Sequence, residues 1–152
     1  MANTYTQLYI HIVFSVKNRL YCIKDTFKDE LLKYMTGIIK NQGNQLIAIN
    51  SAADHVHIFT ALNPKIAISS LVHDIKLSTS EFIKEKKFVP GKFYWQEGFG
   101  AFSYSHSHVK YVVHYIQNQE QHHKNVSFRE EYSEMLKKFN VVYNEEYAFD
   151  ID

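Results

Sequence analysis

The order of strand and helix signals in this 152-residue chain predicts an α+β fold. The expected form is a ferredoxin-like, or RRM-like, antiparallel sheet with helices on one face. Three observations predict it. Short runs rich in β-branched and aromatic residues alternate with two long amphipathic stretches. The order is strand, helix, strand, strand, helix, strand. Further helical signal follows the last strand, so an added C-terminal helix bearing tyrosine completes the architecture.

Tyr5 to Val16 reads as the first strand. Leu8, Ile10, Ile12 and Phe14 share one face, and Tyr9, His11, Val13 and Ser15 the other. From about Thr26 to Gln42, Phe27, Leu31, Leu32, Met35, Ile38 and Ile39 recur at helical spacing, and Gly43 follows as the C-terminal stop. Gln45–Ser51 and His55–Leu62 read as a hairpin across Ala52, Ala53 and Asp54, closed by Asn63-Pro64. Ile68, Leu71, Val72, Ile75, Phe82 and Ile83 form a second helical stripe to about Lys86, broken by Pro90-Gly91. Phe93 to Tyr104 reads as a strand that bends at Gly98 and Gly100. Ser105–Gln121 is the third expected helix and Ser127–Phe139 the fourth. The second sheet face is left for a ligand or a further helix.

Composition narrows the function classes. The chain has 45% apolar residues, enough for one domain over 1–152 without disulfide or structural metal. The single Cys22 excludes an internal disulfide and a cysteine zinc site. The start lacks the signal-peptide pattern, and no apolar run approaches the ~18 residues of a membrane span, so the expectation is a cytoplasmic protein with no membrane partner. Up to Lys124 there are 14 Lys and Arg against 9 Asp and Glu; from Asn125 onward, 3 against 7. A basic body with an acidic helix and tail over about 125–152 permits a polyanionic partner without requiring one.

His55-Val56-His57 is the sharpest local feature. Two residues apart on a strand, both imidazoles share a face, while Val56 and Ile58 turn to the core. Such a pair can chelate a divalent ion with positions left open, although two metal-free sheet histidines satisfy the same spacing. Asp54 is equally a turn residue. In the third helix, Val109, Val112, Val113 and Ile116 mark the core stripe, and Tyr111, Tyr115 and Gln119 run beside it. Tyr115 sits at the edge of the buried face, placed for packing or for a site. Gln119 offers an amide oxygen to an ion one turn on. Together these residues suit phosphoryl transfer, with the Tyr115 phenol as nucleophile and a cation at His55 and His57 polarising the phosphate.

At this combination the chain resembles the single-tyrosine HUH transposases of the insertion-sequence-200-like class. The matching segments start with His11-Ile12-Val13-Phe14-Ser15, Lys17 and Arg19, then Asp54-His55-Val56-His57, then Asp74-Ile75-Lys76 with Ser78 and Ser80. They continue through Trp95 to Ser103, Tyr115-Ile116, Asn118-Gln119, His122-His123, Phe128 and Glu130-Glu131-Tyr132. The resemblance implies Tyr115 as nucleophile, His55, His57 and Gln119 as ligands of Mg2+ or Mn2+, and no nucleotide cofactor. It implies single-stranded DNA cleavage through a 5′-phosphotyrosine, recognition of hairpins, and a homodimer. Two alternatives stand beside it: a domesticated relative acting on palindromic repeats, and a catalytically inactive nucleic-acid-binding module.

Lys17, Arg19, Lys76 and Lys84 are the expected DNA-binding residues, with Lys86, Lys87 and Lys92 as further phosphate contacts. Tyr94, Trp95, Phe99 and Phe102 suit base stacking or the core. His11 shares its strand face with Tyr9 and either borders the site or packs. His106, His108, His114, His122 and His123 gather around the tyrosine helix, as surface groups or as a second metal site.

Overall fold

The computed structural model describes residues 3–19, 22–122 and 126–144. Four strands form one antiparallel sheet: β1 (Tyr9–Ser15), β2 (Gln45–Ser51), β3 (His55–Ala61) and β4 (Gly100–Tyr104), in the order β2-β3-β1-β4. That is the strand order of the expected ferredoxin-like sheet. Two helices connect the strands, α1 (Asp25–Asn41) and α2 (Ile68–Lys86). After β4 come α3 (Val109–Gln117), the short α4 (Gln119–His122) and α5 (Phe128–Lys138). No helix among the described residues is long and apolar enough to cross a membrane.

The period-two pattern of the strands sorts side chains to two faces. Ile12, Phe14, Val56 and Ile58 meet Phe27, Leu31 and Met35 of α1 and Leu71, Val72 and Ile75 of α2, which is the main core. The opposite face holds Val13 and Phe102 under Phe128, Met135 and Leu136 of α5. Beside them Ala48 and Phe59 lie under Val112 and Ile116 of α3. The face left open in the sequence reading is therefore taken by the tyrosine helix and α5. Gly43, at φ 82°, ends α1 where only a glycine turns without strain.

Three expected elements are shorter than the pattern suggests. Of Tyr5–Val16 only Tyr9–Ser15 pairs as a strand, because its partners β3 and β4 end opposite Tyr9, at Ala61 and Tyr104. Of Phe93–Tyr104 only Gly100–Tyr104 is a strand; earlier, Trp95 makes one isolated bridge to Val16. Gly98 turns the chain at φ 86°. The Lys76 ammonium donates to the Gln96 and Gly98 carbonyls at 2.7 and 2.6 Å, taking those oxygens away from any ladder. The expected Ser105–Gln121 helix is also divided, by a turn at Asn118. There the Asn50 side chain donates to the Ile116 carbonyl at 2.9 Å, and the Asn118 side chain to His114 O at 2.8 Å. These bonds satisfy helix-end carbonyls and close α3.

Candidate active site and metal centre

β3 brings His55 and His57 to the face covered by α3 and α5, and both rings are fully buried. Val56 and Ile58 point into the main core, as the strand period requires. Asp54, at the hairpin turn, has its carbonyl fixed by the Val16 N–H at 2.8 Å. Its carboxylate accepts His55 Nδ1–H at 2.7 Å, which leaves Nε2 as the outward nitrogen of that ring. Asp54 is thus an orienting group as well as a turn residue.

The two outward nitrogens converge on a carboxylate from α5. Glu131 Oε1 lies 3.1 Å from His55 Nε2 and 3.1 Å from His57 Nε2. Its other oxygen, Oε2, accepts the Tyr115 hydroxyl and lies 3.3 Å from His122 Nε2. Ser127 holds the start of α5, its hydroxyl accepting Glu130 N–H at 3.2 Å, and Glu130 and Glu131 occupy the first turn, where carboxylates suit the helix dipole. Phe128 lays its ring against His55, with centroids 4.4 Å apart.

Charge follows this geometry. Burial pulls His55 down, but hydrogen bonds to Asp54 and Glu131 outweigh it, and its pKa is raised. Burial, and then the adjacent Glu131 carboxylate, push the Tyr115 phenol well above its ordinary range, so the hydroxyl keeps its proton. His11 donates to or accepts from His57 Nδ1 at 2.8 Å. Burial and the neighbouring His57 hold it well below the usual histidine value, with Glu131 pulling the other way.

Gln119 stands on α4, one turn past Tyr115. It is fully buried, and its Oε1 accepts no hydrogen bond among the described residues. His55, His57 and Glu131 each present a ligand atom within 4.8 Å of the others, the one such His, Cys, Asp or Glu group among the described residues. Two imidazole nitrogens and a carboxylate make a donor set that fits a divalent ion, and the buried Gln119 amide oxygen is a further donor in want of a partner. A cleft of about 320 Å³, lined by Tyr104, Tyr111, Tyr115, His122, Glu131 and Lys138, opens beside the phenol.

Glu131 is the site residue that sequence reasoning did not assign. Its place in a first helical turn is ordinary capping chemistry, and only the docking of α5 reveals the contact. The other expectations separate. Trp95 and Phe102 are core, whereas Tyr94 and Phe99 are exposed. Lys17 is exposed, its ammonium 5.8 Å above the Tyr94 ring. Lys84 and Lys92 line a second cleft with Leu77 and Tyr94, also about 320 Å³. Lys76 is engaged by backbone carbonyls. The Arg19 side chain, His123 and the acidic run 145–150 lie outside the described residues. Of the other histidines, His122 joins the site through Glu131 and His106 pairs with the Tyr9 hydroxyl at 3.2 Å.

A family model described as "Transposase IS200 like" matches residues 4–119. Two solved structures share the fold. One is a REP-associated tyrosine transposase bound to a REP hairpin, with TM-score 0.62 and 16% identity over 83% of this chain and 74% of that one. The other is a Deinococcus radiodurans R1 protein assigned as a transposase, with TM-score 0.59 and 21% identity over 78% of this chain and 95% of that one. No curated protein matches the chain.

Proposed function

The chain belongs to the IS200-like transposase family, and from that premise we propose that it cleaves and rejoins single-stranded DNA through a covalent 5′-phosphotyrosine at Tyr115. One observation carries the reading. The Tyr115 hydroxyl and the Nε2 atoms of His55 and His57 meet at one buried carboxylate within a single chain. A packing tyrosine and two structural histidines have no reason to share that point, which also argues against an inactive binding module.

In the proposed reaction Tyr115 Oη attacks the scissile phosphorus as the P–O3′ bond breaks. The phenol proton passes to Glu131 Oε2, which that hydroxyl already bonds, the phosphate passes to the phenol, and the departing oxygen takes up a proton from water and leaves as a 3′-hydroxyl. The phosphotyrosine keeps the ester's free energy, so attack by another 3′-hydroxyl rejoins strands without a nucleotide cofactor. His55, His57 and Gln119 would hold a Mg2+ or Mn2+ ion beside Glu131. That ion supplies Lewis-acid polarisation of the phosphate when bound. Asp54 keeps His55 turned to the site. Lys17, Arg19 and Lys84 are proposed phosphate contacts, and Lys76 has one N–H beyond the two given to carbonyls. We take the substrate to be hairpin-bearing single-stranded DNA, the working form to be a homodimer, and the compartment to be the cytoplasm.

A second reading keeps the chemistry and changes the target to dispersed palindromic repeats, since one structural neighbour was captured on a REP hairpin. Genomic copy number separates them: a mobile element occurs in several near-identical copies.

The test is covalent trapping with Mn2+ and 3′-labelled single-stranded oligonucleotides from both flanks of the gene. We expect a labelled band at protein-plus-DNA mass, absent with EDTA and with Tyr115→Phe, while Tyr115→Phe still shifts DNA in a gel. A Tyr115→Phe protein that forms the adduct at the wild-type rate would overturn the assignment.

A further inference from the structure

The two imidazoles of the site are oriented by partners of different chemistry. Behind His55 is a carboxylate, Asp54, which only accepts. Behind His57 is a second imidazole, His11, at 2.8 Å from His57 Nδ1. The sheet register produces this contact. Val13 of β1 lies opposite His57 and His11 lies opposite Phe59, so His11 and His57 are diagonal neighbours on one face. Their rings stack with centroids 5.0 Å apart. Phe102, Tyr104 and Tyr115 enclose His11 on other sides, each 6.3 Å away by ring centroid. The ring is 1% exposed, and an apolar box of this kind favours the neutral form.

A neutral imidazole carries one N–H and one lone pair, so it can donate or accept at the nitrogen facing its partner. Among the described residues His11 Nδ1 has no hydrogen-bond partner. A buried N–H without an acceptor is the costlier orphan, which places the His11 proton on Nε2, donating to His57 Nδ1. His57 then carries its own proton on Nε2, where it meets Glu131 Oε1 at 3.1 Å. That is the nitrogen whose lone pair an ion needs. His55, by contrast, is held by Asp54 with its Nδ1 protonated throughout.

We propose that His11 is a positioning residue that lets His57 exchange between two tautomers, one bonded to Glu131 and one ligating a metal. The inference rests on the metal-dependent reading above. When an ion takes His57 Nε2, the His57 proton moves to Nδ1 and the hydrogen bond to His11 reverses. His11 then accepts at Nε2 and holds its proton at Nδ1. The pair neither gains nor loses a proton. The site has one fixed arm, Asp54–His55, and one exchangeable arm, His11–His57, so loading the ion costs a tautomer change and leaves a buried N–H on His11. A partner that could only accept would remove that cost, and a partner with no nitrogen would remove the support.

The test uses the full chain with Mn2+, free ion being followed by its paramagnetic resonance signal. His11→Phe keeps the ring volume and removes the lone pair, and should weaken Mn2+ binding about ten- to a hundredfold, the usual loss for a group supporting a ligand. His11→Gln keeps an amide that donates or accepts, and should recover most of the affinity. The second readout is long-range 1H–15N correlation of the wild-type rings. It should place the His57 proton on Nε2 in metal-free protein and on Nδ1 with diamagnetic Zn2+ bound. If His11→Phe fails to fold by circular dichroism, His11→Gln and the wild-type ring spectra decide. Mn2+ affinity unchanged in a folded His11→Phe, or a His57 proton on Nδ1 in both states, overturns the proposal and leaves the metal reading standing. A wild-type protein that binds no Mn2+ overturns both.

Discussion

Asp54 decides which nitrogen of His55 is available, and that makes it the most testable small group in the site. Asp54→Ala should leave the strand in place and weaken Mn2+ binding about ten- to a hundredfold, by loss of the carboxylate that fixes the ring; calorimetric titration measures it. Affinity equal to the wild type would reduce Asp54 to a turn residue. The His55 and His57 pair was legible in the sequence because a strand admits only one outcome for residues two apart. Tyr115 was legible from its row beside the core stripe and from the resemblance. Glu131 was not, because its contact to His57 spans 74 positions and no local spacing encodes a docking of that range. Gln119 lies one turn past Tyr115, although the turn at Asn118 puts it on a separate short helix and not on the continuous one that the spacing suggests.

At the scale of elements, α5 is what delivers Glu131, and its seating depends on a glycine in β4. A Cβ on Gly100 would lie 2.6 Å from the Tyr132 ring. Gly100→Ala should therefore push α5 outward, costing about 1–3 kcal/mol by overpacking. Thermal unfolding should register this, and adduct formation should fall more steeply than stability, because Glu131 moves with its helix. The segment before β4 gives a second prediction. Trp95 Nε1–H donates to Thr79 Oγ1 at 2.9 Å, and Lys76 grips the carbonyls on either side of Glu97. Burial lowers the Lys76 pKa from 10.5 to about 8. Between those values the unfolded chain holds a proton that the folded chain has released, so this lysine makes stability rise with pH across that window. Lys76→Met should flatten that part of the stability profile; an unaltered slope would sink the assignment. The sequence overestimated β4 because aromatic alternation continues through Phe93–Tyr104, while the capture of two carbonyls by α2 is a tertiary event that the pattern does not carry.

For the whole molecule, the order of strands and helices was enough to specify the sheet, since hairpin β2–β3 and the two crossing helices leave few ways to pack. The covering of the second face was open, because α3 and α5 are amphipathic helices whose partner is decided by the complementary surface of Val13, Phe59 and Phe102. A metal that binds only the assembled site must stabilise the assembled chain. Mn2+ at about one hundred times its Kd should add about 2.7 kcal/mol, or roughly 5–10 °C in a melting scan for a chain of this size. EDTA should reverse the gain, and His55→Ala with His57→Ala should abolish it. A wild-type melting curve indifferent to Mn2+ would contradict a metal centre built from the folded core.

The site also has an order in time. The imidazoles that the sheet carries lie at positions 11, 55 and 57, the phenol at 115 and the carboxylate at 131, so a growing polypeptide completes the sheet before it acquires either Tyr115 or α5. An emerging chain stopped between β4 and α3 holds His11, His55 and His57 without Tyr115, Gln119 or Glu131. The donor set of the site therefore comes together only once α5 has been made and has docked on the sheet.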